Sequence, residues 1–83
     1  ASGFIALMAK VGEVIAGRPG TRIASINYNE KADEMRMNIL ATDYEAVEQV
    51  RSAINNAGLE AVMESSSAQA DGVRARLRVG ERS

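Results

Sequence analysis

The chain has 83 residues and contains no cysteine, no histidine and no tryptophan. Without cysteine there is no disulfide framework, no thiolate nucleophile and no zinc-cysteine site, and cysteine usage leaves the compartment unassigned. Without histidine, the commonest general base and the commonest metal ligand are missing together. Aromatic residues are reduced to Phe4, Tyr28 and Tyr44, and Pro19 is the single proline. An excess of charge of one sign is lacking too: 10 basic and 11 acidic residues give a net charge of -1, so partners are not selected by bulk charge. No apolar run approaches the ~18 residues needed to cross a bilayer, and the first residues lack the basic and hydrophobic regions of a signal peptide. An opening such as ASGF, entering a helix at once, is also what a cut inside a longer protein would leave.

What is present is the composition of an ordinary soluble globular domain, 46% hydrophobic and 25% charged. Residues 1–83 are read as one domain with a thin core, since a chain of this size buries only about 60 to 65% of the surface its unfolded form exposes. GFIALMAKVGEVIA, residues 3–16, sets Phe4, Met8, Val11 and Ile15 on one stripe, with Leu7 and Val14 on one flank and Ile5 and Gly12 on the other. That is an amphipathic helix, ended by Gly17 with Pro19 beyond. Arg22 to Tyr28 alternates Ala24, Ile26 and Tyr28 against Ser25 and Asn27. After the polar turn NEKAD, Met35, Met37, Ile39 and Ala41 alternate against Arg36, Asn38 and Leu40, which predicts a hairpin. TDYE then offers Thr42 as helix cap with Glu45 closing a capping box. Val47, Val50, Ile54 and Ala57 follow at helical spacing, and Gly58 supplies the stop. Leu59 to Glu64 reads as a short third strand, SSSAQADG as a mobile small-residue loop, and VRARLRV as the fourth strand.

The order helix, strand, strand, helix, strand, strand predicts an α+β two-layer sandwich. It is a ferredoxin-like fold in circularly permuted order αββαββ, with two helices on one face of a four-stranded antiparallel sheet. The second and fourth strands are expected at the centre and the first and third at the edges. Arg74, Arg76 and Arg78, with Arg36, then lie on the face away from the helices.

None of the residues forms a recognisable site for chemistry. An RNA-binding sheet needs aromatics on its open face, and Phe4, Tyr28 and Tyr44 all fall on core-facing positions, so nucleic acid is disfavoured. Met8, Met35, Met37 and Met63 would suit a soft metal, but alternating strand methionines facing helices are core filling. GRPG matches the backbone-clamping loop of KH domains only superficially, because here it leads from a helix into a strand and its proline removes a donor. The acidic residues lie in turns or on solvated faces. No catalytic, metal or cofactor residue is assigned, and no enzymatic activity is expected. What remains is surface for another protein. The first strand is an exposed edge that Ser25 and Asn27 do little to block. Ile5, Ala9, Gly12 and Ala16 form a row of small residues on one flank of the first helix, read equally as packing against the second helix or as a partner interface. The arginine face of Arg36, Arg74, Arg76 and Arg78 is a secondary candidate surface.

SINYNEKADEMRMNILATDYEAVEQVRSAINNAGLEAVMES, followed by DGVRARLRV, resembles the C-terminal periplasmic domain of the general secretion pathway L protein, an inner-membrane platform component of bacterial type II secretion. The resemblance spans about Phe4 to Val79. It rests on Ile26 and Tyr28 before the polar turn, the Met35 to Ala41 strand, the Asp43-Tyr44 helix start, the Ala57-Gly58-Leu59 helix exit and the closing strand. Such core and capping positions are shared with related ferredoxin-like domains, the nearest being the M protein of the same machine. The resemblance implies a periplasmic assembly domain that forms homodimers and contacts the M-type platform protein and pseudopilins. It also implies that this chain is a fragment: a membrane-spanning helix, and a cytoplasmic domain through which the secretion ATPase is engaged, lie outside it.

Overall fold

Two helices and four strands follow one another in the order α1 (Gly3–Ala16), β1 (Thr21–Asn29), β2 (Glu34–Ala41), α2 (Tyr44–Asn56), β3 (Leu59–Gln69) and β4 (Gly72–Glu81). The structure, a computed structural model, describes residues 3–82. The strands form one antiparallel sheet in the order β1-β2-β4-β3, which places β2 and β4 at the centre. This is the expected permuted ferredoxin-like sandwich. β2 runs parallel to β3 with β4 inserted between them, so α2 bridges a split β-α-β unit.

The core lies between this sheet and the helices. From β2 come Met35, Met37, Ile39 and Ala41, from β4 Ala75, Leu77 and Val79, and from β3 Leu59 and Ala61. The helices close it with Leu7, Val11, Val47, Val50 and Ile54. The buried stripe of α1 centres on Leu7 and Val11, one flank away from the stripe expected around Phe4 and Met8. Phe4 is 42% exposed and lies beside the edge-strand Tyr28, ring centroids 5.5 Å apart, and Tyr44 is 50% exposed at the start of α2. Neither aromatic is a core residue, contrary to expectation: an 83-residue sandwich has room for little more than aliphatic layers, and rings at helix starts fall on its rim.

The helix ends are closed by groups from distant parts of the chain. Asp33 Oδ1 accepts from the Gly3 N–H at 3.1 Å, a cap delivered to α1 from the β1–β2 turn, and also from the Tyr28 hydroxyl at 2.7 Å. The N-cap of α2 is Asp43, whose carboxylate accepts from Ala46 N at 2.8 Å. Thr42, the expected cap, is one residue too early because its N–H is held by the Gly20 carbonyl at 3.1 Å, an extension of the sheet. At the other end of α2, Asn55 bonds the Ala61 N–H at 3.1 Å, and Arg82 donates to the carbonyls of Asn55 and Leu59. Asn55 thereby ties α2 to β3.

The largest departure is at SSSAQADG. Ser65 to Gln69 continue β3, Ala70 and Asp71 alone make the turn, and Gln69 pairs with Gly72. Ladder hydrogen bonds to β4 outweigh the low strand propensity of serine and alanine. Gly72, at φ 146°, permits the turn. Each edge strand carries a bulge, Ala24 in β1 and Glu64 in β3. A bulge inserts one residue and so reverses which residues face inward. Ile23 therefore takes the inward place expected of Ala24, opposite Ile39, and Arg22 turns to the open face. Beyond Glu64 the reversal sends Ser65 and Ser67 to the open face, opposite Arg76 and Arg74.

Candidate functional site

The open sheet face can be read row by row from the strand register. The first row is Arg22, Leu40, Arg74, Ser67; the second is Ser25, Asn38, Arg76, Ser65; the third is Asn27, Arg36, Arg78, Val62. Glu34 lies opposite Asn29 and Gly80, so it belongs to a strand and not to the turn. The four arginines predicted for this face are all on it, but they divide into two kinds.

Arg36 and Arg78 close a ring with Glu34 and Glu64. Glu64 accepts from Arg36 Nε at 3.0 Å and from Arg78 Nε at 3.3 Å. Glu34 lies 3.5 Å from Arg36 and 3.7 Å from Arg78. The bulge at Glu64 positions its carboxylate between two strands. The hydrogen bond from Arg36 holds the Glu64 carboxyl below the usual glutamate range, and the same contact raises the Arg36 guanidinium further. Exposed ion pairs contribute little stability, but the ring neutralises this half of the face. Arg74 and Arg76 are exposed and form no ion pair among the described residues.

The other candidate surface is the outside of α1. At 100° per residue, Ile5, Ala9, Gly12 and Ala16 fall on the side opposite Leu7 and Val11. Ile5 is 83% exposed, and a Cβ built on Gly12 would meet nothing within 4 Å. The row therefore does not pack against α2. Lys10, Val14 and Gly17 instead border the depression between α1 and the Ala53 and Ala57 side of α2. Ser25 and Asn27 lie on the opposite face of the sheet from this row, with Ser25 Oγ accepting from Asn38 Nδ2 at 2.8 Å. The two groups of candidate residues thus belong to separate surfaces, joined only by the backbone edge of β1. Among the described residues no aromatic side chain lies on the open face, since Phe4 and Tyr44 are on helices and Tyr28 pairs with inward-facing Met35. Among the described residues no three acidic side chains gather to hold a metal ion.

A family model for the GspL periplasmic domain matches residues 3–81. The chain belongs to that family, a component of the type II secretion system. Two solved structures share the fold of this GspL-family domain. The periplasmic domain of XcpY, in a crystal structure of an oP form, superposes with a TM-score of 0.84 at 24% identity, covering 89% of this chain and 95% of that one. The periplasmic domain of EpsL from Vibrio parahaemolyticus gives a TM-score of 0.83 at 13% identity, covering 99% of this chain and 100% of that one. At these identities each likeness is one of fold. A comparison with curated proteins finds no match. Sequence reasoning missed Arg22, Ser67 and Glu34 on the open face: the bulges at Ala24 and Glu64 hid the first two, whereas Glu34 continues the unbroken alternation of Arg36, Asn38 and Leu40, the signal that could have found it.

Proposed function

We propose that this GspL-family domain is a non-enzymatic assembly module of the type II secretion inner-membrane platform. It acts in the periplasm by homodimerisation and by contacts to the M-type platform protein and pseudopilins. The full protein continues into a membrane-spanning helix and a cytoplasmic domain that meets the secretion ATPase. The observation that carries this reading is the outer flank of α1, where Ile5, Ala9, Gly12 and Ala16 present an apolar, small-residue row that none of the described residues covers. Small residues let a second helix approach closely. A domain whose core, caps and sheet are complete without this row has it free for another chain.

Light scattering across a wide concentration range, alone and with an M-type periplasmic domain, tests the reading. The expected result is a concentration-dependent dimer that dissociates as the partner is added, and that Ile5→Lys weakens without altering the melting curve. A chain that stays monomeric at every concentration and ignores the M-type domain would refute it.

A further inference from the structure

The half of the open face beyond the ion-pair ring is chemically distinct from it. Arg22, Arg74 and Arg76 are all exposed, and none has a carboxylate in ion-pair range among the described residues. Arg22 and Arg74 flank Leu40 in one row, and Arg76 sits in the next beside Asn38. With strands about 4.8 Å apart and alternate residues about 6.8 Å apart along a strand, the three outline a triangle with sides of about 7 to 12 Å. Like charges this close repel one another. The β3 neighbours of Arg74 and Arg76 are Ser67 and Ser65, so the sheet offers hydroxyls where the ring offers glutamates. Asp71, in the adjoining turn, makes no ion pair with any of the three.

A second observation specifies what kind of anion fits. β3 is an edge strand, and from Ser65 to Gln69 every residue is exposed on both faces. This stretch has no charge and no proline, the usual protections of a free edge. Its unpaired backbone groups match an extended polypeptide, which neither a lipid headgroup nor a nucleic acid can imitate. Ser65 and Ser67 are small enough to leave the path from that edge to Arg76 and Arg74 clear.

We propose that this end of the sheet binds an extended acidic segment of a partner protein, which adds to the β3 edge along Ser65–Gln69 and sets alternate carboxylates against Arg76 and Arg74. The repeat of about 6.8 Å between same-side residues of an extended chain equals the spacing of the two arginines. The site is on the opposite layer of the molecule from the α1 row, so it stands or falls independently of homodimerisation.

The test uses a fluorescent peptide of alternating Glu and Thr, read by anisotropy and by amide chemical shifts of the labelled domain. Saturable binding is expected, with shifts concentrated at Ser65–Gln69, Arg74 and Arg76, and with affinity falling as salt shortens the screening length. Arg74→Gln with Arg76→Gln should weaken binding roughly tenfold, while Arg51→Gln, on α2 and paired to Glu48, should leave it unchanged. A peptide N-methylated at alternate residues, unable to join a strand edge, should lose binding. No binding at low salt, binding that the N-methylated peptide retains, or a preference for phosphatidylglycerol vesicles over the peptide would each overturn the proposal.

Discussion

Gly72→Ala and Gly12→Ala are the same chemical change at two glycines, and the structure assigns them opposite signs. At Gly72 the backbone has φ 146°, a region that residues with a Cβ avoid, at a cost of about 1 to 3 kcal/mol. The added Cβ would also sit 2.2 Å from the Ala41 carbonyl oxygen, well inside the 3.0 Å that such contacts respect. Ala41 pairs with Val73 in the central ladder, so moving its carbonyl sacrifices about one further hydrogen bond, worth about 0.5 to 1.5 kcal/mol. The expected loss is about 2 to 4 kcal/mol. A domain of this length has only about 4 to 12 kcal/mol in total. At Gly12 the chain is helical and a Cβ meets nothing, so alanine should add about 1 kcal/mol of helix propensity. Thermal and urea unfolding at low protein concentration measure both. At about 4 to 8 °C per kcal/mol, Gly72→Ala should melt at least about 8 °C below the parent and Gly12→Ala a few degrees above it. A Gly72→Ala variant as stable as the parent would refute the turn geometry assigned to the β3–β4 hairpin.

Leu77→Ala, at the centre of β4 and fully buried, should lose about 2 to 5 kcal/mol in urea unfolding, whereas Val62→Ala on the open face should change stability by less than about 0.5 kcal/mol. Glu64 is held below its ordinary value of 4.5 by its hydrogen bond from Arg36, so the ring stabilises the fold above that value and the contribution is lost as pH falls through the lowered folded value. Carboxyl chemical shifts followed through acid titration should show Glu64 protonating late, and Arg36→Gln should return it towards 4.5. Tyr28 is pushed up to about 12 by its hydrogen bond to Asp33, by desolvation, and by the charges of Asp33 and Glu30. That contribution is complete below 10.0 and disappears as pH rises towards about 12, which the ultraviolet titration of the phenol reports; Asp33→Asn should lower the midpoint.

The sequence alone determined the elements whose periodicity is unbroken. Residues 3–16 form α1 as read, Met35 to Ala41 and Val73 to Val79 alternate in place, and Val47, Val50 and Ile54 bury one face of α2. These patterns fix the αββαββ order and, with it, the central positions of β2 and β4, because short-range periodicity follows from backbone geometry. Only the tertiary structure decided what lies at the rims. Bulges at Ala24 and Glu64 arise where edge strands twist against their neighbours, and each reverses the parity that sequence reading extrapolates. From that reversal come the placement of Arg22 on the open face and the serines opposite Arg74 and Arg76. Asp33 capping α1 and Arg82 capping α2 were equally unreadable, being separated from their partners by some thirty residues of chain. Periodicity reports a residue's angle about its own element; which charges meet across a sheet depends on register, and register is set by the packing of all four strands together.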